Sequence, residues 1–294
     1  MANVSQSKGC AMVEVFDDRA CDLGEGVFWH PERGELFWFD ILGKRLLSRT
    51  AEGPLAWEMD EHASAAGWID RETLLIATET GLYRFGIGTG AKELIVALEA
   101  DTPATRSNDG RADPMGGFWI GTMGKKAERG AGAIYRYYGG AVERVFPEIS
   151  IPNAICFAPD GRRAYFADTS RPEIRTVALD AEGWPDGPSE MFIDLRSEGL
   201  NPDGAVTDAE GAVWNAQWGA GRVARYLPDG TFDRAVEVDG RHSSCPGFGG
   251  SGLETLYVTT ALEGVADPQP GDGLTYAAAV GIQGRPEPRV KVPS

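Results

Sequence analysis

The sequence predicts an all-β fold, a six-bladed β-propeller, on three observations. The chain has 294 residues with 39 glycines, 18 prolines and 8 tryptophans, a composition typical of many short strands joined by tight turns. Six segments share one pattern, a turn followed by an apolar strand, and their starts lie 38, 44, 46, 50 and 42 residues apart. This interval matches the length of one four-stranded propeller blade, which is about 40 to 50 residues.

Each repeat carries turn-forming residues, mostly Asp, Pro and Gly, followed by residues that alternate or run apolar as in a half-buried strand. The six repeats are WHPERGELFWFD from Trp29, GWIDRETLLIATE from Gly67, RADPMGGFWIGTM from Arg111, FAPDGRRAYFADT from Phe157, TDAEGAVWNAQWG from Thr207 and GGSGLETLYVTTA from Gly249. Second hairpins follow in several repeats. A β-sandwich or an eight-stranded barrel would need far fewer than six equivalent hairpin pairs, so the repeats favour the propeller.

A propeller has to close its ring, and the stretch from Met12 to Phe16 supplies a spare strand ahead of the first repeat. We expect this strand to complete the last blade, whose own strands include Leu274 to Val280. No linker or low-complexity segment divides the chain. We therefore expect one domain over residues 1–294, with residues 1–11 as a loose N-terminal extension.

Charge and cysteine usage restrict the partners and the compartment. The formal net charge of −16 disfavours binding to nucleic acid or to an anionic membrane, because both need a positive surface. No stretch approaches the roughly 20 apolar residues of a membrane span, and the N-terminus lacks the apolar run of a secretory signal. The four cysteines, which form no CxxC pair, predict free thiols in a reducing compartment: Cys10, Cys21, Cys156 and Cys245. We expect a cytoplasmic protein, and the oligomeric state is left open.

One position of the repeat is polar where a propeller core should be apolar. In four repeats a polar residue lies eight or nine residues before the turn glycine: Glu25, Asn108, Asn153 and Asp203, with Ser64 and Ser244 near the same place in the other two. Equivalent positions are related by rotation about the propeller axis, so we expect these side chains to meet around the channel mouth. Unpaired carboxylates withdrawn from water are costly or change their pKa, and a bound cation would remove that cost.

The residue types at this ring indicate the class of metal. Two carboxylates and an amide oxygen are hard donors that suit Ca²⁺, Mg²⁺, Mn²⁺ or Zn²⁺, and the choice among these ions stays open. The alternative is that Asp203 and Asn153 cap turns, as we expect for Asp160 and Asp229, which sit directly in hairpin turns. Asp203 differs because its own turn lies eight residues later, at Gly211.

Several motifs, in a fixed order, resemble one protein family. They are Leu23-Gly-Glu-Gly-Val-Phe-Trp, Arg106-Ser-Asn-Asp-Gly-Arg-Ala-Asp-Pro, Gly121-Thr-Met, Pro152-Asn-Ala-Ile-Cys-Phe-Ala-Pro-Asp-Gly and Asn201-Pro-Asp-Gly-Ala-Val-Thr-Asp-Ala-Glu-Gly, followed by Phe248-Gly-Gly and Leu256-Tyr-Val-Thr. From about Met12 to Pro288 the chain resembles the senescence marker protein / gluconolactonase / luciferin-regenerating enzyme family, also called the regucalcin family. The resemblance implies a six-bladed propeller with one divalent cation at the channel mouth and, in many members, hydrolysis of sugar lactones.

The resemblance also implies roles for single residues. It makes Glu25, Asn153 and Asp203 the protein ligands of the metal, and it makes Arg106, Asn108 and, in a lid loop, Lys126 the substrate-binding residues. The lid position of Lys126 is acidic in animal members.

The sequence departs from the family pattern in two places. Ala154 stands where a glycine usually follows the metal-binding Asn, and Cys245-Pro-Gly-Phe-Gly-Gly replaces the usual Pro-Cys-Phe-Gly-Gly. The second departure alters the blade that helps to line the pocket.

The expected activity is the opening of a sugar lactone, an aldonolactone, to the sugar acid. With the carbonyl polarised by the metal, Asp203 would act as general base and Arg106 with Asn108 would hold sugar hydroxyls or the developing charge. Two alternatives use the same metal site: an organophosphate or aryl-ester hydrolase, and a non-enzymatic Ca-binding regulatory protein. Catalysis is favoured because the Arg106 and Asn108 pair is not needed to hold a cation.

Other hydrolytic motifs are missing, including the Gly-x-Ser-x-Gly elbow and His-Glu-x-x-His. His30 precedes Pro31 in a predicted hairpin turn, and we expect it to be exposed and not catalytic. His62 and His242 lie two residues from ring positions and are candidates for the pocket border. Trp218, at a predicted strand end, is a candidate stacking face for a sugar.

Overall fold

The fold is a β-propeller of six four-stranded sheets, seen in a computed structural model that describes residues 12–293. The first strand is β1 (Val13–Asp17), which belongs to the last blade. Strands β2 to β13 build blades 1 to 3: β2 (Gly24–His30), β3 (Glu35–Asp40), β4 (Arg45–Thr50), β5 (Gly53–Glu58); β6 (Ala63–Asp70), β7 (Thr73–Thr78), β8 (Gly81–Gly86), β9 (Lys92–Ala97); β10 (Thr105–Ala112), β11 (Phe118–Gly124), β12 (Gly132–Tyr138), β13 (Ala141–Ile149).

Blades 4 to 6 complete the ring, and the predicted six-bladed propeller is confirmed. Their strands are β14 (Pro152–Phe157), β15 (Arg163–Asp168), β16 (Glu173–Ala178), β17 (Glu190–Asp194); β18 (Asn201–Thr207), β19 (Val213–Trp218), β20 (Arg222–Tyr226), β21 (Phe232–Glu237); β22 (His242–Gly249), β23 (Thr255–Ala261) and β24 (Thr275–Ala279). The first strands of neighbouring blades pack against one another around the axis, and these six inner strands are β2, β6, β10, β14, β18 and β22.

The predicted hairpin turns lie where the glycines place them. Gly34, Gly116, Gly161 and Gly211 have φ angles of 64°, 95°, 69° and 84°. Glycine adopts this left-handed backbone without the steric cost that other residues bear. Each of these turns joins the inner strand of a blade to its second strand, so the repeat that is visible in the sequence is the first hairpin of a blade.

The N-terminal strand closes the ring as predicted. Strand β1 pairs antiparallel with β24, from Val13 opposite Ala278 to Asp17 opposite Thr275. The Asp17 carboxylate accepts hydrogen bonds from Arg19 Nε at 2.8 Å and from Arg49 Nε, on β4, at 2.8 Å. Blade 6 is thereby tied to blade 1. The predicted N-terminal extension, residues 1–11, lies outside the described residues.

The inner strands are irregular where they pass the predicted ring positions. The register shifts between Glu25 and Phe28 in blade 1 and between Asn153 and Cys156 in blade 4. Equivalent shifts occur in the other four inner strands, between Ala63/Ala65, Ser107/Gly110, Pro202/Ala205 and Ser243/Pro246. A β-bulge bends a strand and redirects its side chains, so the ring residues lie at or beside six points of altered direction.

The tryptophans predicted to pack between blades are mostly buried. Trp38, Trp119 and Trp214 are fully buried, while Trp29 is half-buried and stacks on Tyr257 with ring centroids 6.0 Å apart. The expected exposure of His30 is wrong. His30 is the last residue of β2, is fully buried, and its Nε2 lies 3.1 Å from the carbonyl oxygen of Asp70, because the turn begins one residue later than expected.

A C-terminal strap, residues 281–293, crosses the face opposite the ring positions. Its backbone is hydrogen-bonded to the inner hairpins of blades 5, 6, 2 and 3, with contacts at Ala209, Leu253, Trp68 and Gly116. Its Glu287 forms a buried ion pair with Arg111 of the inner strand β10. The strap therefore covers the far end of the channel.

Three cysteines can be placed in the fold. Cys21, Cys156 and Cys245 are buried and free, which confirms the predicted free thiols for these residues, while Cys10 lies outside the described part. Between residues 12 and 293, no helix is long and apolar enough to cross a lipid bilayer.

Candidate active site

A cavity of about 420 Å³ opens at the end of the channel where the inner strands begin. All six site residues predicted from the sequence line it: Glu25, Arg106, Asn108, Lys126, Asn153 and Asp203. These residues come from blades 1, 3, 4 and 5 and are up to 178 positions apart in the chain. The cavity therefore brings together Glu25, Asn108, Asn153 and Asp203, which the repeat spacing had related only by rotation about the propeller axis.

Two carboxylates, Glu25 and Asp203, are withdrawn from solvent in this cavity, each with 4 % of its surface exposed. Burial raises the pKa of Glu25, and the nearby charge of Asp109 raises it further. Burial also raises the pKa of Asp203, and the Glu25 charge adds to the effect. In residues 12–293 neither carboxylate has an ion-pair partner. The site therefore holds two buried carboxyl groups whose charged forms are disfavoured and, among the described residues, have no bonded cationic side chain.

A chain of hydrogen bonds orients the polar side chains on the other side of the cavity. Arg106 Nη1 donates to Asn108 Oδ1 at 2.7 Å, and Asn108 Nδ2 donates to Asn153 Oδ1 at 3.1 Å. Asn153 Nδ2 donates to Thr169 Oγ1 at 2.8 Å, and Thr169 donates to the carbonyl oxygen of Pro202 at 2.7 Å. The chain runs from blade 3 through blade 4 to the residue before Asp203. These bonds turn the amide oxygen of Asn153 towards Asn108 and its amide nitrogen towards Thr169.

The donors at this mouth fit a hard divalent cation. Glu25 and Asp203 offer carboxylate oxygens and Asn153 offers an amide oxygen, a set that Ca²⁺, Mg²⁺ and Mn²⁺ prefer. A cation between them would also offset the repulsion that raises both carboxyl pKa values. No group of three or more His, Cys, Asp or Glu side chains that could hold a metal occurs in residues 12–293, so this candidate set depends on the amide as its third donor.

Arg106 places a buried positive charge beside these carboxylates. It is 6 % exposed, and its guanidinium also donates to the carbonyl oxygen of Ser107 at 2.9 Å. Burial lowers the pKa of Arg106, while the carboxylates of Glu263, Glu25 and Asp203 act in the opposite direction. A guanidinium fixed in this way can donate a hydrogen bond to an oxygen that gains negative charge during a reaction.

Asp109 is a buried carboxylate of the site that sequence reasoning missed. Its Oδ2 accepts a hydrogen bond from the backbone N–H of Ile155 at 2.7 Å, and burial raises its pKa to about 6. Its charge acts on Glu25, Asp203 and Arg111. The only sequence signal was its place directly after Asn108, inside a motif that already supplied two predicted site residues, Arg106 and Asn108.

The predicted lid loop reaches the cavity through two lysines. Lys126 lines the cavity, is exposed, and its backbone N–H donates to Glu128 Oε2 at 3.1 Å. Lys125 also lines the cavity and forms an ion pair with Glu79, whose Oε1 lies 3.1 Å from His62 Nδ1. Glu79 therefore anchors the loop to blade 2, a link between distant segments that spacing along the chain does not reveal.

Ser64 and Ser244, the two serines of the predicted ring, do not line the cavity. Ser64 Oγ donates to Ser107 Oγ at 2.8 Å. Ser244 Oγ bonds to the carbonyl oxygen of Gly24 and lies 3.0 Å from Thr259 Oγ1. Both are fully buried between neighbouring strands, where a short side chain finds a partner before it reaches the channel.

Blades 5 and 6 supply the remaining side of the cavity. Trp218, at the end of β19, lines it and is half-buried, and Glu263, in the loop after β23, lines it and is exposed. His242 does not line the cavity and instead stacks on Trp218, with ring centroids 4.3 Å apart and planes at 24°. Trp218 therefore has the accessibility that its position at a strand end predicted, while His242 lies behind it.

Comparisons with known proteins agree with this fold and show the family. Residues 23–262 match the family model described as SMP-30/Gluconolactonase/LRE-like region. The chain is 38% identical over 252 residues to the L-arabinolactonase of Azospirillum brasilense, with 83% of each chain covered. It is 33% identical over 286 residues to pentonolactonase XacC of Haloferax volcanii, covering 94% of this chain and 97% of that one.

A solved structure gives the same result for the fold. The crystal structure of a calcium-binding protein, regucalcin, from Agrobacterium tumefaciens matches with a TM-score of 0.93 and 41% identity, covering 96% of this chain and 98% of that chain. The family model covers most of the chain, and the order of motifs had already pointed to the same group. The chain therefore belongs to the SMP-30/gluconolactonase/LRE-like family.

Proposed function

We propose that the protein is a lactonase that opens a sugar lactone, an aldonolactone, to its sugar acid. The observation that carries this proposal is one cavity in which two buried carboxylates and an amide oxygen lie beside a buried guanidinium. A site that only stores a cation has no need of Arg106. The relatives named L-arabinolactonase and pentonolactonase support the same class of substrate.

Glu25, Asn153 and Asp203 are the residues that would hold one divalent cation, whether Ca²⁺, Mg²⁺, Mn²⁺ or Zn²⁺. Such a cation, when bound, supplies Lewis-acid polarisation of a carbonyl and makes a bound water more acidic. The Agrobacterium regucalcin is described as a calcium-binding protein, which supports a divalent cation at this position.

The chain's own residues perform the remaining steps. A carboxylate oxygen of Asp203 accepts a proton from the attacking water, whose oxygen forms a bond to the lactone carbonyl carbon. The guanidinium of Arg106 donates to the oxygen that gains charge, and the amide of Asn108 holds Arg106 and a substrate hydroxyl. The bond between the carbonyl carbon and the ring oxygen then breaks, and the ring oxygen takes up the proton held by Asp203 and becomes a hydroxyl of the sugar acid.

The experiment that tests this function is acid release from a panel of five- and six-membered sugar lactones. The protein is stripped of metal and reloaded with single cations, and an aryl ester and an organophosphate are added to the panel. We expect cation-dependent acid release on at least one lactone, and a loss of roughly 100-fold or more in kcat for Asp203→Ala.

Asp160→Ala is the matched control, because Asp160 is an exposed carboxylate of a Pro-Asp-Gly hairpin turn on blade 4. We expect this variant to keep the wild-type rate. Cation binding with no acid release on any lactone would refute the lactonase and favour the Ca-binding regulatory protein. Activity confined to the aryl ester or the organophosphate would favour the other hydrolase.

Two features bear on the location of the protein and on the kind of substrate. The buried free thiols Cys21, Cys156 and Cys245 are typical of a reducing compartment, so we propose a cytoplasmic location. The net charge of −16 supports a small-molecule substrate over nucleic acid or an anionic membrane.

A further inference from the structure

The side of the cavity built by blades 5 and 6 carries two groups that the proposed chemistry does not use. Trp218 offers an aromatic surface and Glu263 offers a carboxylate, and both line the cavity that holds the candidate catalytic residues. Neither is a ligand of the candidate cation site. A lactone bound at the candidate catalytic residues would place its unreactive ring carbons next to this side of the cavity.

The Trp218 ring is held in place from behind. His242 stacks on one face of the indole, and the apolar cluster that includes Leu23 and Ala261 packs against it. The part of Trp218 that remains accessible therefore borders the cavity, and its orientation does not depend on a ligand. A half-buried aromatic ring fixed in this way presents a preorganised surface for the C–H face of a sugar ring.

His242 connects the tryptophan to the carboxylate. Its Nδ1 lies 2.7 Å from the carbonyl oxygen of Glu263, and because a carbonyl only accepts, Nδ1 carries the proton of this hydrogen bond. One imidazole thus supports the indole of Trp218 with its ring face and holds the backbone of the Glu263 loop with its nitrogen. His242 is a positioning residue for both groups.

The carboxylate of Glu263 is available to a ligand. It is exposed, and in the described part of the chain it takes part in no ion pair. Its charge nevertheless reaches Arg106, Glu25 and Asp203, which places it within electrostatic range of the reacting groups. A carboxylate accepts hydrogen bonds from hydroxyl groups and repels an anionic substituent.

We infer that Trp218 and Glu263, positioned by His242, form a sugar-recognition wall that selects neutral polyhydroxylated lactones. The wall discriminates against lactones that lack hydroxyls, which leave Glu263 without donors, and against lactones with an anionic substituent. This inference deepens the proposed lactonase function and rests on it.

The first test separates recognition from folding by comparing two substrates. Steady-state rates are measured on the aldonolactone that the wild type opens fastest and on γ-butyrolactone, which has the ring without hydroxyls. For Trp218→Ala we expect KM on the aldonolactone to rise about tenfold or more with kcat within about threefold. We expect kcat/KM on γ-butyrolactone to stay within about threefold, because its C–H bonds are not polarised by hydroxyl groups and therefore stack only weakly on the indole. Trp218→Phe, which keeps an aromatic face, should recover most of the loss.

The positioning role of His242 has its own pair of variants. His242→Ala removes the stacking and the hydrogen bond, and we expect it to raise KM on the aldonolactone while leaving γ-butyrolactone unchanged. His242→Asn keeps a donor for the Glu263 carbonyl and should recover part of the loss. Equal losses on both substrates for Trp218→Ala and His242→Ala would show that these residues only support the fold, and would overturn the wall.

The charge of Glu263 is tested with a gluconolactone that carries a sulfonate at carbon 6. For Glu263→Gln we expect the ratio of kcat/KM on the sulfonated lactone to that on gluconolactone to rise about fivefold or more, because repulsion is removed. Glu190→Gln, at an exposed acid on the outer strand of blade 4, should leave the ratio unchanged. An unchanged ratio in Glu263→Gln would refute its part in selection.

A binding measurement tests the sugar-recognition wall independently of lactonase activity. If the wild type opens no lactone, the proposed function fails, and calorimetric titration with L-arabinose and with gluconate then tests the wall alone. Binding of the neutral sugar that is stronger than binding of the anion, and that is lost in Trp218→Ala, would support it. No binding of either by the wild type, or binding unchanged in Trp218→Ala, would overturn it.

Discussion

Gly26, directly after the candidate ligand Glu25, is a position where a single added methyl group should be strongly destabilising. Its φ is 58°, and a Cβ there would lie 2.1 Å from the carbonyl oxygen of Ser64 and 3.0 Å from Phe39 Cδ2. We expect Gly26→Ala to lower the free energy of unfolding by at least about 2 kcal/mol, because backbone strain and a clash with a neighbouring strand add. Urea unfolding followed by tryptophan fluorescence measures this.

Gly139 provides the control that separates the clash from the backbone strain. It has a similar φ of 61°, yet a Cβ there would have no heavy atom within 4 Å. We expect Gly139→Ala to lower the free energy of unfolding by only about 1 to 2 kcal/mol, because only the left-handed backbone conformation is unfavourable for alanine there. If Gly26→Ala unfolds at the same urea concentration as Gly139→Ala, the close approach of β2 to β6 does not limit this position.

The candidate ligands were predictable from the sequence because they obey the repeat. Counting back from the turn glycines located Glu25, Asn108, Asn153 and Asp203 without knowledge of the fold, and the family resemblance then singled out Glu25, Asn153 and Asp203 as ligands. The same count placed Ser64 and Ser244 in the ring, and the structure excludes them from the cavity. A count fixes the height of a residue on its strand, whereas bulges and local partners decide where a short side chain points.

Thr169 and Glu263 show what such a count does not detect. Thr169 lies in the loop after β15 and joins Asn153 to the carbonyl oxygen of Pro202, and Glu263 enters the cavity from the loop after β23. Neither residue type recurs at the equivalent place of the other repeats. Loops carry specific contacts that periodicity along the strands does not encode.

At the scale of elements, the pairing of β1 with β24 is secured by Asp17. Burial acts to raise the pKa of Asp17, but the hydrogen bonds from Arg19 and Arg49 outweigh it, and the pKa lies below its usual value. A carboxyl whose pKa is lower in the folded than in the unfolded chain stabilises the fold above the unfolded value, and this contribution is lost as pH falls through the folded value.

We therefore expect the stability gap between the wild type and Asp17→Asn to depend on pH. The wild type should melt at a higher temperature near pH 7, and the gap should narrow below about pH 4, where the unfolded carboxyl takes up its proton. Melting curves from pH 7 to pH 2 measure it, with Asp160→Asn as an exposed control. A difference in melting temperature that stays constant down to pH 2 would contradict the stabilisation of the β1–β24 pairing by ionised Asp17.

The C-terminal strap is the second element whose effect can be isolated. Val290 is fully buried, and its backbone N–H donates to the carbonyl oxygen of Trp68 at 2.9 Å. We expect Val290→Ala to lower the free energy of unfolding by about 2 kcal/mol, since two buried methyl groups are lost. Lactone hydrolysis should be unchanged, because the strap lies on the face opposite the cavity.

Val292, two residues later and only half-buried, is the matched control for the strap. In the same urea titration, Val292→Ala should lower the free energy of unfolding by less than half as much as Val290→Ala. Equal effects of the two variants, or a fall in lactone hydrolysis for Val290→Ala in its folded range, would contradict the separation of the strap from the site.

At the scale of the whole molecule, the ring has two chemically different ends. Glu25 and Asp203 lie at the end where the inner strands begin, and the strap and the Arg111–Glu287 pair cover the other end. A substrate therefore approaches from one side. The net charge of −16 also favours departure of a product that is itself an anion.

We propose that one cation, held by Glu25, Asn153 and Asp203, is required for lactone hydrolysis. The most direct measurement is the rate of acid release during stepwise addition of a single cation to metal-free protein, for the wild type and for Asp203→Asn. We expect the wild-type rate to rise and saturate near one equivalent, and the variant to stay at least about 100-fold slower at every step. Full activity of the metal-free wild type, or a variant as fast as the wild type, would contradict the account.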